Sequence, residues 1–171
     1  MAHRARLLGM LFLASLLGTC AEAADKAAAT LKDGSGKELG KAEFTDTASG
    51  VLIRLDLISM PPGEHAFHVH AIGKCDPPDF KSAGAHFNPH EAKHGFMNEK
   101  GPHAGDMPNL HIPESGKLVI EMLNPFVSLR GDRALLDQDG SALIIHAGVD
   151  DYLTDPAGNA GDRIACGVVM Q

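Results

Sequence analysis

A dense group of histidines lies in the middle of the chain and ends in an aspartate. Seven of the ten histidines fall between His65 and His103, and Asp106 follows three residues later. Imidazole is the most common metal ligand among side chains, and carboxylates also bind metals. A fold for this chain must therefore bring several of these rings together, and their number suggests a site with more than one ion.

Alternating apolar and polar residues flank this segment, as in half-buried β-strands. Between residues 51 and 58, for example, Ile53, Leu55 and Leu57 alternate with Arg54 and Asp56. No stretch shows sustained helical periodicity, so the pattern predicts an all-β sandwich or barrel. The expected antiparallel strands are 27–32, 38–45, 51–58, 64–70, 117–122, 127–136, 141–146 and 164–170.

Two long connections interrupt the strands, at residues 71–116 and 147–162. The first is rich in Gly, Pro and polar residues and holds most of the histidines. A connection of this length is uncommon in a compact domain unless it is functional. We therefore interpret it as an ordered loop that metal ions hold in shape.

The N-terminus has the features of a secretory signal peptide over residues 1–23, followed by one domain over residues 24–171. Two arginines precede an apolar run at 7–18, and small residues around 21–23 fit a cleavage site. The run is too short to cross a bilayer, so we expect no membrane span. Lipid attachment at Cys20 fits less well, because Thr19 stands where a smaller residue is usual. The mature chain keeps Cys75 and Cys166, and an even count in an exported protein implies one disulfide.

Two groups of histidines have the character of metal sites. His68 and His70 share one face of a strand, because side chains alternate between faces, and they form a two-nitrogen chelate. His65 has the opposite parity and is interpreted as a structural, hydrogen-bonding histidine. A closed tetrahedral set of the kind that structural zinc accepts comes from the loop; its members are His86, His94, His103 and Asp106.

Two further residues remain ambiguous from the sequence alone. His146 ends an apolar strand, where a histidine is more often capped or buried than a ligand. Arg163 lies three residues before Cys166, so it is near whatever the disulfide holds. A guanidinium beside a metal suits an anion site, but a solvated arginine is an equally good interpretation.

Together, the motifs HAFHVH, SAGAHFNP, LIIHAG and GNAGDRIACG, with His94 and the segment from His103 to Asp106, resemble the copper/zinc superoxide dismutase family. The resemblance covers essentially the whole mature chain, and its leader and the residues after Asp106 are similar to the bacterial periplasmic branch. It implies a flattened, sandwich-like eight-stranded Greek-key β-barrel with two long functional loops; enzymes of this family are among the known β-sandwich proteins.

The resemblance also implies an activity and a location. The implied reaction converts two superoxide anions and protons to O₂ and H₂O₂ while copper cycles between Cu(II) and Cu(I), with a structural zinc alongside. Each subunit would hold one copper and one zinc in the periplasm, where the enzyme would protect the cell envelope. The resemblance leaves open whether the chain is a monomer or a homodimer.

Roles for individual residues follow from the resemblance. The implied copper ligands are His68, His70, His86 and His146. The implied zinc ligands are His86, His94, His103 and Asp106, so that His86 bridges both ions. Asp150 would join His68 to His94, Arg163 would guide superoxide to the copper, and Cys75 would pair with Cys166.

The charge of the chain adds one departure and one exclusion. A formal net charge of −7 argues against a nucleic-acid-binding protein, whose surface is usually basic. An acidic protein repels a small anion at long range, and the 147–162 loop has four aspartates and no lysine. We therefore expect Lys74, Lys81 and Lys93 in the first loop to attract the substrate.

Two other functional classes are compatible with parts of the sequence. A periplasmic copper- and zinc-binding buffer without turnover would need the ligands but not Arg163. A secreted interaction module with a zinc staple would leave His68, His70 and His146 without a purpose.

Overall fold

The computed structural model describes residues 25–171, and this part of the chain contains nine β-strands and one short 3₁₀ helix at Lys81–Ala83. The strands are β1 (Lys26–Lys32), β2 (Glu38–Thr47), β3 (Gly50–Leu57), β4 (Gly63–His65), β5 (Phe67–His70), β6 (Leu110–Ile112), β7 (Leu118–Asn124), β8 (Ala142–His146) and β9 (Arg163–Val168). The all-β prediction is confirmed. The expected signal peptide, with Cys20, lies outside the described residues.

Seven of these strands form one curled antiparallel sheet in the order β5-β8-β9-β1-β2-β3-β7. Strands β1, β2 and β3 are joined as consecutive hairpins, and the last strand, β9, returns to lie beside β1. This return beside the first strand is the Greek-key connection. β4 and β6 form a separate two-stranded pair. No helix within residues 25–171 is long and apolar enough to cross a bilayer.

The core is built by the alternation that the sequence shows. Ile53 and Leu55 of β3 are fully buried, and Phe44 of β2 is opposite Ile53 in the register. The intervening Arg54 lies on the outer surface between Glu43 and Glu121, at 3.9 and 4.0 Å. Such exposed ion pairs contribute little free energy, so burial of the apolar face stabilises the sheet.

One predicted strand is wrong. Residues 127–136 make only an isolated bridge between Ser128 and Ala134. The chain turns back at Gly131, whose φ of 92° is a conformation that favours glycine, and the Ser128 N–H donates to Arg133 O at 2.9 Å. The apolar side chains of this segment still enter the core, but from a loop. Two other differences concern the strands. The expected 64–70 strand is divided at Ala66 into β4 and β5, and β6 lies in a region that was expected to be a loop.

A disulfide between Cys75 and Cys166 confirms the predicted cysteine pairing. It ties the start of the long loop to β9, with the two Cα atoms 5.7 Å apart. Around it, Phe80 and Ala83 pack against Ala142 and Ile144 in a small satellite core. The bond and this apolar cluster together hold residues 75–84 against the sheet.

Candidate metal centre

The edge of β5 is where the long loop docks, and this docking assembles the site. The Val69 N–H donates to Gly105 O at 2.9 Å, and the Phe87 N–H donates to Val69 O at 2.8 Å. A Cβ at Gly105 would collide with the Val69 carbonyl, so glycine permits this close approach. Through these backbone bonds His86 and Asp106 lie directly beside β5.

Strand alternation places the first two rings as expected. Phe67 and Val69 point into the main core, and His68 and His70 point to the other side, where both are fully buried. β8 pairs with β5 and ends at His146, which is 3% exposed. The structure therefore brings His146 to the same site, although its position in the sequence did not favour that role.

Four of the buried rings each have a nitrogen without a hydrogen-bond partner among the described residues. These atoms are His68 Nδ1, His70 Nε2, His86 Nε2 and His146 Nε2. The four side chains form a group whose ligand atoms all lie within 4.8 Å of one another. Leaving four buried nitrogens unsatisfied would be costly unless they bind something. We call this set the four-histidine group.

In three of these rings, His68, His70 and His146, the opposite nitrogen donates its proton to an oxygen of the protein. His70 Nδ1 donates to Gly84 O at 3.0 Å, and His146 Nδ1 donates to Gly161 O at 3.1 Å. His68 Nε2 donates to Asp150 Oδ2 at 2.8 Å. Histidines that bind metals usually donate their other N–H in this way. The free nitrogens therefore present lone pairs toward the centre of the group.

A second group shares one ring with the first. Its members, which we call the aspartate group, are His86, His94, His103 and Asp106. Asp106 Oδ1 lies 2.8, 3.1 and 3.3 Å from Nδ1 of the three rings, in that order. Ligands placed tetrahedrally at zinc distances would be about 3.3 Å apart. The donor set and its spacing thus suit a tetrahedral Zn²⁺.

His86 is the ring common to both groups. Its Nδ1 faces the aspartate group, at 2.8 Å from Asp106 Oδ1 and 3.4 Å from His103 Nδ1. Its Nε2 is one of the four unsatisfied nitrogens. The imidazole therefore offers one nitrogen to each group, which is the geometry that a bridging ligand needs.

Asp150 makes a second connection between the two groups, through His68 and His94. Its Oδ2 accepts from His68 Nε2 at 2.8 Å, and its Oδ1 accepts from His94 Nε2 at 2.9 Å. A Cβ at Gly158 would overlap the Asp150 carboxylate and the His94 ring, and its φ of 62° also favours glycine. Gly158 thus lets the 147–162 loop close over this carboxylate.

Burial and charge keep most of these rings neutral. Burial lowers the pKa of His68 to about 3, of His70 to about 2 and of His146 to about 4. Burial also opposes the charged form of His94, but hydrogen bonds to Asp106 and Asp150 outweigh it and raise its pKa to about 9. Neutral imidazole is the form that binds metals, so the four-histidine group is ready for an ion at neutral pH.

Arg163 begins β9 opposite His146 and is half-buried. Its guanidinium donates to Phe80 O at 2.8 Å and to Gly84 O at 2.7 Å. Gly84 O also accepts from His70, so the arginine and a member of the four-histidine group share one anchor. The positive charge is close enough to help lower the pKa of both His70 and His146.

The other histidines within residues 25–171 lie outside both groups. His65 is buried and contacts the carbonyl oxygens of His146, at 2.8 Å, and Pro61, at 3.1 Å. Its interpretation as a structural, hydrogen-bonding histidine is confirmed. His90 is exposed, and His111 is an exposed neighbour of Glu64. No sequence pattern selects Asn109 or Tyr152, which both contact Asp150.

Comparison with known proteins places this geometry in a family context. Residues 38–169 match the family model described as copper/zinc superoxide dismutase. A similar relative is superoxide dismutase [Cu-Zn] 1 of Aquifex aeolicus, which is 55% identical over 147 residues covering 84% of this chain and 87% of that protein.

Two solved structures show the same fold. A double mutant of a superoxide dismutase-like protein from Bacillus subtilis matches with a TM-score of 0.82 and 43% identity, over 84% of this chain and 97% of that one. The Cu/Zn superoxide dismutase from Brucella abortus matches with a TM-score of 0.70 and 26% identity, over 84% of this chain and 99% of that one. Proteins described as superoxide dismutase-like also have this fold, so the fold alone does not establish the activity. The donor groups of this chain are the evidence that bears on it.

Proposed function

The chain belongs to the copper/zinc superoxide dismutase family, and on that premise we propose that it converts two superoxide anions and two protons to O₂ and H₂O₂. One observation carries the proposal: the His86 ring offers Nδ1 to the aspartate group and Nε2 to the four-histidine group. A protein that held a single structural ion would not need the second group.

The donor atoms suggest which ion each group takes. Four imidazole nitrogens suit copper, so His68, His70, His86 and His146 are the proposed copper ligands. Three imidazoles with a carboxylate suit structural zinc, so the proposed zinc ligands are His86, His94, His103 and Asp106. When bound, copper supplies one-electron redox chemistry between Cu(II) and Cu(I), and zinc, which has no redox chemistry, fixes the shape of the loop.

The chain's own residues supply position, charge and a proton site. Arg163 presents a fixed cation beside the four-histidine group, held by two carbonyl oxygens, and would bind the superoxide anion there. His86 Nε2 can hold a proton while Nδ1 stays with the aspartate group. Asp150 would keep the His68 and His94 rings in orientation through both carboxylate oxygens.

Among the three lysines expected to attract substrate, Lys81 has the best position. Arg163 lines a surface opening together with Lys81, Asp79 and Asp162. Lys93 does not line this opening; it pairs with Asp155 at 2.9 Å, and the other oxygen of that carboxylate accepts the His94 N–H. Lys74 is exposed beside the disulfide. We propose that Lys81, whose Nζ lies 2.7 Å from Asp79, offsets the local negative charge at this opening.

Replacing Arg163 by alanine tests the proposed activity. Pulse radiolysis of the copper- and zinc-loaded protein should show fast superoxide decay, and the Arg163→Ala variant should be slower by about tenfold or more while it keeps both metals. Arg133→Ala is a suitable control, because Arg133 donates to the Pro125 carbonyl, away from the site. If the loaded wild type does not accelerate superoxide decay, the chain is a metal buffer rather than an enzyme.

We also propose that the protein works in the periplasm. A disulfide between Cys75 and Cys166 is typical of oxidising compartments, and the N-terminal sequence has the features of a secretory leader. Fractionation of cells, with mass spectrometry of the mature N-terminus, tests both statements. Recovery of the full-length chain in the cytosol would contradict the proposal.

A further inference from the structure

One asparagine outside both metal groups holds the backbone of Asp150. Asn109 Nδ2 donates to Asp150 O at 2.9 Å, and the Asp150 N–H donates to Asn109 Oδ1 at 2.9 Å. The side-chain amide thus pairs with both polar groups of the Asp150 backbone, as one strand pairs with another. This reciprocal pair fixes both the position and the direction of the chain at residue 150.

Tyr152 closes the same arrangement into a ring of contacts. Its N–H donates to Asp150 Oδ1 at 2.7 Å, and its hydroxyl oxygen accepts the Asn109 N–H at 2.7 Å. The Asp150 backbone is therefore held by Asn109 and its carboxylate by Tyr152. Both carboxylate oxygens then point at ring nitrogens, Oδ2 at His68 and Oδ1 at His94.

The two ends of this connection differ in how firmly they are held. Asn109 lies three residues after Asp106, a member of the aspartate group, and directly before Leu110, the fully buried first residue of β6. Asp150 lies in the 147–162 loop, which contains no strand or helix. The asparagine therefore transmits the position of a sheet-anchored segment to a residue of the loop.

We propose that Asn109 is a positioning residue that acts through Asp150 on both metal groups. Without it, the Asp150 carboxylate loses its placement between His68 and His94, and the His94 ring loses its orientation toward the aspartate group. The inference rests on the proposed function, because it takes the aspartate group as the zinc site. Replacing a direct partner of a metal ligand, as Asp150 is, commonly changes metal affinity by about 10- to 100-fold, and Asn109, which acts through Asp150, should reach at least the lower end of that range.

Zinc release from the metal-loaded full-length mature protein tests the inference without using the enzyme's activity. The rate of zinc transfer to a chromogenic chelator is measured for wild type, Asn109→Ala and Asn98→Ala. Asn98 is a matched control because it is also half-buried in the long loop and accepts a backbone N–H, that of Lys100, at 3.1 Å. Asn109→Asp is a nearly isosteric second variant that keeps the acceptor for the Asp150 N–H and removes the donor to its carbonyl.

We expect Asn109→Ala and Asn109→Asp to release zinc about tenfold faster or more, and Asn98→Ala to match wild type. A double variant distinguishes an effect of Asn109 through Asp150 from a general structural role of Asn109. In an Asp150→Ala background, the added Asn109→Ala change should have no further effect on zinc release, because the residue through which it acts is gone.

Two results would overturn the inference while leaving the proposed function intact. One is equal zinc release by the Asn109 variants and Asn98→Ala; the other is an undiminished Asn109→Ala effect in the Asp150→Ala background. A wild-type protein that binds no zinc would instead remove the proposed function and the inference together.

Discussion

Replacing Asp150 by asparagine changes one oxygen to an NH₂ group with almost no change in shape. In the native structure both carboxylate oxygens accept ring N–H groups, Oδ2 from His68 and Oδ1 from His94. An amide has only one oxygen, so one of the two rings must lose its acceptor. The copper and zinc affinities of this variant therefore show which metal group depends more on Asp150.

The structure predicts which ring is affected. Two donors converge on Oδ1, because the Tyr152 N–H lies 2.7 Å from it and His94 Nε2 lies 2.9 Å from it. The amide oxygen should stay at that position, so the NH₂ group faces His68 Nε2. To accept from it, the His68 ring must move its proton to Nδ1, the nitrogen that faces the four-histidine group.

A protonated Nδ1 cannot bind copper, so the main cost should be in copper affinity. Loss of such a partner commonly weakens metal binding by about 10- to 100-fold, or roughly 1.4 to 2.7 kcal/mol. Zinc affinity should change much less, since His94 keeps its acceptor. Asp150→Ala, in contrast, removes both acceptors and should weaken the binding of both ions.

Competition titrations with copper- and zinc-selective chelators measure the two affinities separately. Asp151→Asn is the control, because Asp151 is an exposed neighbour whose oxygens accept from Leu153 and Thr154 rather than from a histidine. Zinc affinity that falls while copper affinity stays at the wild-type value would refute the reasoning, as would no change in either.

Three further predictions follow from the same site. His146→Ala should lose copper and activity and keep zinc, because only the four-histidine group contains this ring; equal copper content by elemental analysis would contradict the ligand assignment. The metal-free protein should lose stability as the pH falls from about 6.5 to about 4, because burial lowers the pKa of His68 to about 3, of His70 to about 2 and of His146 to about 4. The unfolded chain then binds up to three protons that the native state does not, a slope of up to about 4 kcal/mol per pH unit, and urea titrations that are flat across this range would count against it. Lys81→Glu should slow superoxide decay and change its salt dependence more than Lys93→Glu does, and equal rates would remove Lys81 from substrate attraction.

Local sequence patterns were enough to predict much of the site. The alternation of β5 is enough to place His68 and His70 on one side and Phe67 and Val69 on the other, because a strand has a period of two. The same reasoning failed at residues 127–136, where apolar residues suggested a strand. There Leu129 and Leu135 flank a turn at Gly131 and are fully buried, although they are not part of a strand. Burial of apolar side chains therefore does not by itself indicate a sheet.

Contacts between segments far apart in the chain were harder to predict from the sequence. His146 by itself looked like a capped or buried histidine, and its position became clear only once β8 was paired with β5. Asn109 carries no motif of its own. Its two bonds to Asp150 span forty-one residues, and no periodicity in a single sequence reports such a contact.

The sequence by itself determined the chemical inventory: which rings, carboxylate and guanidinium are available, and the all-β pattern that carries them. Only the tertiary structure decided which nitrogen of each ring is occupied by a protein partner and which is left free. That choice depends on carbonyl and carboxylate oxygens such as Gly84 O and Asp150 Oδ2, which folding brings from loops far away in the chain. Hydrogen-bond direction is a property of three-dimensional placement, and for His86 that placement leaves one nitrogen facing each of the two groups.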